Sequence, residues 1–353
     1  MHMMHQTTQA CSIAALPSVD ALCKRLEIFE QQLADGLVPP AAAIFRSCSD
    51  NSDETEILAL AHEIKNRFSQ VIICGAGGSG LSTRVLCGLK TPFTSPPIHV
   101  LDHIDPEVID RLIQHCPLHD TLVLLISKSG STAETLSQFF ALYPLFKQAL
   151  GTEAAKHFIA ITMPGDNVLH SLAEKEGFRI INHPTDIGGR FSLFTAVGLL
   201  PAAIAGVDIA ALRKGATHII RQLGKGTHPA RLGAALQYQA QQQGKNISVM
   251  LPYCERLSGF SAWYRQCWAE SLGKQGKGST PIRAVGTTDQ HSQLQLYLDG
   301  PDDKFYTLVL LQRAGTGAAL AVPDRDELSY LYGHRLGDIM EAEQRATLQT
   351  LIK

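Results

Sequence analysis

Four short apolar runs mark the first half of the chain, at residues 71–74, 98–101, 122–126 and 158–162, and helix-like segments separate them. Such runs are typical of strands that are buried on both faces of a parallel sheet. When strands alternate with helices in this way, the helices cover both faces of the sheet. The pattern therefore predicts an α/β fold built on a parallel sheet.

The alternation of strand-like and helix-like segments begins again after about residue 210. The helix-like and strand-like segments there are residues 230–243, 247–251, 258–272 and 305–312. A chain of 353 residues is long enough for two domains of ordinary size. We predict an N-terminal helical segment at 1–45, a first α/β domain at 46–210 and a second at 211–353, with the domain boundary near 206–228.

Composition excludes several classes of protein. With 45% hydrophobic and 18% charged residues a buried core is expected, and a net charge of −2 argues against nucleic-acid or membrane partners. The eight cysteines, Cys11 among them, form no CxxC pair, which fits reduced thiols in a cytoplasmic protein. The N-terminus lacks the features of a signal peptide, and the apolar stretch at 194–207 is too short to span a bilayer, so it predicts a buried helix.

A glycine cluster at residues 75–80 follows the first predicted strand and should open a helix. Backbone N–H groups in such a turn can approach an anion at the helix N-terminus. The spacing of Gly75, Gly77 and Gly80 also matches a dinucleotide-binding motif, with Asp102 where a ribose-binding acid would lie. A tight turn without a ligand is the third interpretation.

A second loop, residues 127–135, follows the most apolar run and is rich in hydroxyl side chains. Hydroxyls, amides and a helix dipole together suit a phosphate group, and Thr132 and Thr135 are spaced to face the same way on a first helical turn. The alternative is a serine-rich helix cap in a surface loop. Arg190, which follows two glycines, could hold a phosphate or an enediolate oxygen, or could form a structural ion pair.

A carboxylate and an imidazole lie further along the chain. Glu270 lies at the edge of a mostly apolar helical stripe, four residues after Gln266, and His291 follows 21 residues later. Such a pair is what proton transfer next to a carbonyl needs. The alternative is a surface pair between Glu270 and Lys274.

Taken together, these motifs resemble the glucose-6-phosphate isomerase (phosphoglucose isomerase) family of the bacterial type. The resemblance covers roughly residues 50–300 and rests on residues 75–80, 127–135, 188–201, 270–274 and 286–295, in the order of the family. Single motifs are shared with other sugar-isomerase (SIS) domains. The sequence Glu-Ser-Leu-Gly-Lys followed by Gly-Thr-Thr-Asp-Gln-His-Ser-Gln is more specific.

The resemblance implies two SIS domains with flavodoxin-like parallel sheets and an active site between them. It implies interconversion of glucose 6-phosphate and fructose 6-phosphate through a cis-enediol, without a metal or organic cofactor, by a homodimer. A non-catalytic phosphosugar-binding protein and a dual phosphoglucose/phosphomannose isomerase are the alternatives. The family also ends in a helix whose lysine contacts the sugar ring oxygen. No counterpart is recognised after Asp338, which predicts a short or truncated C-terminal segment.

The resemblance also implies roles for individual residues. Glu270 is expected to be the base, Gln266 its helper, and Arg190 the cation for the enediolate. His291 is expected to be a ring-opening or hydroxyl-binding group from the neighbouring subunit. The expected sugar contacts are Gly78, Ser79 and Gly189. The expected phosphate site is Ser127, Lys128, Ser129, Thr132 and Thr135.

Overall fold

A computed structural model of the protein describes residues 17–90, 96–226 and 228–352. Cys11 and the part of the predicted helical segment before residue 17 lie outside these residues. The chain divides into two compact units. The first unit is residues 28–226, and the second unit comprises residues 17–27 and 228–352 of the described chain. The domain limits of 46–210 and 211–353 stay a prediction, because compactness alone does not show which part folds independently.

The first unit contains a five-stranded parallel sheet. Its strands are β1 Gln70–Cys74, β2 Ile98–Leu101, β3 Thr121–Ile126, β4 Phe158–Thr162 and β5 Arg179–Asn182. Their order is β2-β1-β3-β4-β5, the order of flavodoxin-like folds. The strand β5 was not predicted, because it lies at the sheet edge and has polar, exposed residues at both ends.

Helices flank this sheet. In chain order, the helices of the first unit are the end of α1 Pro17–Ala34, which the division into units cuts between residues 27 and 28, α2 Pro39–Ser49, α3 Glu54–Arg67, α4 Gly78–Cys87, α5 Pro106–His115, α6 Ala133–Leu150, α7 Val168–Glu176, α8 Ala196–Ile204 and α9 Ile209–Ile220. The buried helix expected within residues 194–207 is confirmed as α8, whose residues from Val197 to Ile204 are all buried. On the face covered by α6, the rings of Phe139, Tyr143 and Phe158 pack against one another with neighbouring centroids 5.1 Å apart.

The second unit contains a three-stranded parallel sheet in the order β7-β6-β8. Its strands are β6 Ile247–Pro252, β7 Thr280–Arg283 and β8 Lys304–Val309, and its helices are α10 Pro229–Gln242, α11 Ser258–Leu272, α12 Leu294–Asp299 and α13 Leu336–Ile352. The strand β7 was not predicted because it contains Pro281, which is tolerated at a sheet edge. Val19 of α1 packs against Ala235 and Leu236 of α10.

The predicted fold class is confirmed, since each unit is a parallel sheet flanked by helices. Within the described chain, no helix combines the length and the apolar character needed to cross a membrane. Ligands of such folds bind at the carboxyl ends of the strands, where the direction of the chain connections reverses. In the first sheet that point lies between β1 and β3.

Candidate active site

The glycine cluster joins β1 to α4 at the carboxyl edge of the first sheet. Gly77 has a φ of +56°, which favours glycine. A Cβ at Gly78 would lie 2.3 Å from the carbonyl oxygen of Gly189 and 2.7 Å from the amide nitrogen of Arg190. The absence of a side chain therefore lets the backbone at 189–190 pack against the start of α4, and this brings three predicted site residues together. Ser79 lies half-buried in the first turn of the same helix.

The third glycine of the motif has a packing role. A Cβ at Gly80 would lie 2.5 Å from the carbonyl oxygen of Gly75 and 2.8 Å from Cβ of Asp102. The carboxylate of Asp102 accepts two hydrogen bonds from Arg84, at 2.8 and 3.0 Å. Burial raises the pKa of Asp102, but the hydrogen bonds and charge of Arg84, together with smaller contributions from the backbone and His103, lower the pKa overall. Since this acid already has a bidentate partner, the structure disfavours a dinucleotide site that would need it for a ribose.

The loop after β3 gathers the predicted phosphate-binding hydroxyls at the start of α6. Ser127 is buried, and its Oγ lies 2.7 Å from Oγ1 of Thr132. Oγ of Ser129 accepts hydrogen bonds from the backbone and hydroxyl of Ser131. Thr132 occupies the N-cap of α6, yet its side chain makes no capping hydrogen bond to the helix. The first amides of an 18-residue helix are therefore left without a side-chain cap, an arrangement that suits an anion.

Gly130, which belongs to the predicted loop, and Asn167, which sequence reasoning overlooked, position this loop. Gly130 has a φ of +66°, and a Cβ there would lie 1.7 Å from Oδ1 of Asn167. The carbonyl of Gly130 accepts from the amide of Leu169 at 3.0 Å, and Oδ1 of Asn167 accepts from the amide of His170 at 3.0 Å and from the hydroxyl of Thr162 at 3.2 Å. An Asn directly before an apolar helical segment is an N-cap signal, which could have identified Asn167.

Lys128 and Thr135, near the two ends of the loop, differ in their hydrogen bonding. The ammonium of Lys128 donates to the carbonyl of Thr185 at 2.9 Å. Thr135 is fully buried, and its Oγ1 has no hydrogen-bond partner among the described residues. A buried hydroxyl without a partner costs about 1–3 kcal/mol of stability. A ligand oxygen that accepted a hydrogen bond from Thr135 would remove this cost.

His183, which sequence reasoning did not single out, lies just after β5 near Lys128. It is 2% exposed, and its Nδ1 lies 2.8 Å from the carbonyl oxygen of Pro184 and donates to it. Burial lowers the pKa of this imidazole, the hydrogen bond to Pro184 opposes that shift, and the charge of Lys128 adds to it. His183 therefore stays neutral at neutral pH.

Arg190 lies half-buried in a 3₁₀ segment, Gly189–Phe194, with its guanidinium carbon 4.5 Å from the ring centroid of Phe191. Ser192 holds this segment through hydrogen bonds to Gly189, at 2.6 Å, and to Ser82 of α4, at 3.3 Å.

The glycine loop and the serine loop lie at the carboxyl ends of the adjacent strands β1 and β3, at the reversal point of the first sheet.

In the second unit, α11 carries Glu270 and Gln266 one turn apart. Nε2 of Gln266 donates to Oε1 of Glu270 at 2.8 Å, and the residue Glu270 is exposed. The helix ends at Leu272, and Lys274 lies in a turn that bridges to Lys277. Lys274 therefore lies beyond the end of the helix, so Glu270 and Lys274 are not an i, i+4 pair within a regular helix.

His291 lies on a different element of the second unit, at the end of a 3₁₀ turn, Thr288–His291, that follows β7. It is exposed. Asp289 closes the turn by accepting hydrogen bonds from the amide of Val285 and the hydroxyl of Ser292, both at 2.7 Å. The turn therefore presents the imidazole to solvent on a constrained backbone.

One cavity, of about 580 Å³, is lined by Arg265, Arg283 and, from the turn that carries His291, Thr288 and Asp289 among others. Another, of about 420 Å³, is lined by Arg46, Asp53 and Arg213 among others. Neither contains a predicted site residue. Within the described ranges, no three His, Cys, Asp or Glu residues are grouped so as to hold a metal ion.

Comparison with known proteins agrees with these motifs. Residues 56–300 match the phosphoglucose isomerase family. A probable glucose-6-phosphate isomerase of Haloquadratum walsbyi is 38% identical over 307 residues, which cover 86% of this chain and 71% of that protein. A glucose-6-phosphate isomerase of Rubrobacter xylanophilus is 39% identical over 291 residues, which cover 78% and 67% of the two chains.

A hypothetical protein of Thermus thermophilus, known from a crystal structure, is similar with a TM-score of 0.85 and 32% identity, over 96% of this chain and 84% of that one. The family match alone spans residues 56–300, more than half of the chain, and confirms the resemblance drawn from the motifs. The chain belongs to the phosphoglucose isomerase family.

Proposed function

We propose that this protein is a glucose-6-phosphate isomerase, which interconverts glucose 6-phosphate and fructose 6-phosphate. The observation that carries the proposal is the family match over residues 56–300, a range that includes both anion-suited loops and the Gln266–Glu270 pair. The activity named for the relatives of Haloquadratum and Rubrobacter is the one proposed here. The proposal uses no metal or organic cofactor and includes a cytoplasmic location.

The serine loop is proposed to bind the phosphate of the substrate. Its uncapped helix N-terminus, the paired hydroxyls of Ser127 and Thr132, and the unpartnered hydroxyl of Thr135 all favour a dianion. Lys128 and Ser129 complete this site, and Gly78, Ser79 and Gly189 are proposed to contact the sugar. Binding energy at the phosphate then positions the reacting carbons, which is how a remote group contributes to rate.

Glu270 is proposed to move a proton between two neighbouring carbons. From the open-chain aldose, its carboxylate takes the proton of C2, the electrons form the C1–C2 double bond, and the carbonyl oxygen O1 takes up a proton. The resulting cis-enediol loses the O2 proton as the carboxylic acid returns its proton to C1, which gives the ketose. The amide of Gln266, 2.8 Å from Oε1, holds the carboxylate in one orientation. Arg190 stabilises the negative charge that develops on the oxygens.

A homodimer in which His291 serves the neighbouring subunit is also part of the proposal. The exposure of His291 supports it, and so does the short helix α12 that follows, where Leu296 and Leu298 are 55% and 46% exposed. Apolar side chains beside a functional group are typical of a subunit contact. Two-fold dimers are the commonest oligomers.

The decisive experiment measures conversion of fructose 6-phosphate to glucose 6-phosphate through a coupled dehydrogenase, in the wild type and in Glu270→Gln. We expect turnover in the wild type and a loss of about a hundredfold or more in the variant, because the amide cannot accept the proton. Stabilisation of both proteins against heat by fructose 6-phosphate is expected to be equal. Full turnover by Glu270→Gln would remove Glu270 as the base, and binding without turnover in the wild type would indicate a phosphosugar-binding protein.

A further inference from the structure

Three side chains from three elements form a hydrogen-bonded chain beside the turn that carries His291. The hydroxyl of Tyr253, which follows β6 and is fully buried, donates to Oε1 of Gln290 at 2.5 Å. Nε2 of Gln290 then donates to Oε2 of Glu343, on α13, at 3.3 Å. Gln290 thus connects the end of the central strand to the last helix of the described chain.

The same tyrosine sets the start of the turn. A Cβ at Gly286 would lie 2.6 Å from the ring carbons of Tyr253, so the backbone packs directly on the ring. The amide of Gly286 donates to the carbonyl of Pro252 at 3.0 Å. The beginning of the turn is therefore held by Tyr253, and Gln290 is the last anchored side chain before His291.

Tyr253 determines which groups donate and which accept in this series of hydrogen bonds. Burial raises the pKa of its hydroxyl, a hydrogen bond with Thr347 opposes the shift, and the charge of Glu343 adds to it, so the pKa is raised overall. The hydroxyl remains a donor at neutral pH. Because it donates to the amide oxygen of Gln290, the amide nitrogen must face the Glu343 carboxylate, and this fixes the orientation of the amide.

We propose that Gln290 is a positioning residue for His291, held in place by Tyr253 and Glu343, and that it supports ring opening rather than proton transfer by Glu270. Adjacent side chains in a 3₁₀ turn point about 120° apart, so fixing Gln290 on the inner side determines the direction of His291 on the outer side. This role rests on the proposed function, in which His291 opens the sugar ring.

The test compares two substrates in Gln290→Leu, which keeps most of the shape of the side chain and removes both hydrogen bonds. One substrate is fructose 6-phosphate, and the other is 5-deoxy-fructose 6-phosphate, which lacks the hydroxyl that closes the ring. Proton exchange and product formation are followed by NMR. We expect kcat/KM for fructose 6-phosphate to fall about tenfold or more and that for the open-chain analogue to change about twofold or less.

Companion variants separate positioning from folding. Tyr253→Phe removes only the donor hydroxyl and should give the same difference between substrates. Gln242→Leu, at an exposed position in α10, is the matched control for loss of an amide. Glu270→Gln should lose activity on both substrates, because it removes the base.

The outcomes are distinguishable. Equal losses on both substrates in Gln290→Leu and Tyr253→Phe, with an active wild type, would overturn the positioning role and leave the proposed function in place. A wild type that isomerises neither substrate would overturn the proposed function and this role with it. A loss confined to the cyclic substrate supports both.

Discussion

At the scale of single residues, two buried histidines of the first unit make its stability depend on pH. His183 is neutral and fully enclosed next to Lys128, and His157, 5% exposed, has its Nδ1 2.8 Å from the carbonyl oxygen of Thr121 and donates to it. Burial lowers the pKa of both imidazoles. Such residues make the stability of the protein sensitive to pH, because the native state resists a proton that the unfolded chain accepts.

The direction of this pH dependence follows from linkage. Above the ordinary histidine pKa of about 6.5, both states are neutral at these positions and their contribution is complete. As pH falls below that value, the unfolded chain binds protons first, so the free energy of unfolding falls, by at most about 1.4 kcal/mol per pH unit for each histidine. The decline continues until the pH reaches the lowered native pKa.

We predict that His183→Asn will reduce this slope. Asparagine can keep the hydrogen bond to Pro184 but takes up no proton, so urea midpoints should fall less between pH 7 and 5.5 than in the wild type. His119→Asn is the control, since that side chain is 70% exposed. A slope equal to that of the wild type would show that His183 does not resist protonation.

At the scale of elements, the loop between β3 and α6 combines a positive φ with a close contact. Gly130 needs both the left-handed backbone and the space taken by Asn167. Gly177 offers a matched comparison, since it ends α7 with a φ of +78° but has nothing within 4 Å of the position of a Cβ. Alanine substitutions at Gly130 and Gly177 therefore separate the cost of backbone strain from the effect of displacing the loop.

We predict that Gly177→Ala will cost about 1–2 kcal/mol of unfolding free energy, from the left-handed backbone alone. Gly130→Ala should cost more, because the new methyl group would displace Asn167, and it should also raise KM for fructose 6-phosphate by about threefold or more as the hydroxyls of the loop move. Urea denaturation and steady-state kinetics measure the two effects. If Gly130→Ala kept the KM of the wild type, the serine loop would not bind the phosphate.

At the scale of the whole molecule, the proposal divides the catalytic groups between two chains. If His291 acts on the neighbouring subunit, a heterodimer of Glu270→Gln and His291→Asn chains has one site with both defects and one site with neither. Co-expression of the two inactive variants should therefore restore about a quarter of wild-type activity, assuming random pairing into two-fold dimers. No restoration, with mixed dimers shown by native mass spectrometry, would place His291 in the site of its own chain.

Much of the fold was predictable because burial leaves a local pattern in the sequence. The continuous apolar run 122–126 identified β3, the central strand, whose residues are all buried, and the segment 258–272 coincides with α11. Strands β5 and β7 were missed because edge strands need fewer apolar residues, and β7 even contains a proline. Hydrophobic periodicity reflects burial, so strands with few buried residues leave only a weak pattern in the sequence.

The sequence alone determined the α/β class, the order of the chemical motifs and the family, since each is written in neighbouring residues. Only the tertiary structure decided which distant residues meet: Gly130 with Asn167, Arg84 with Asp102, and Tyr253 with Gln290 and Glu343. The directly contacting residues are 18 to 53 positions apart along the chain. No local spacing encodes such contacts, because they depend on how packed strands and helices bring separate loops to the same edge of a sheet.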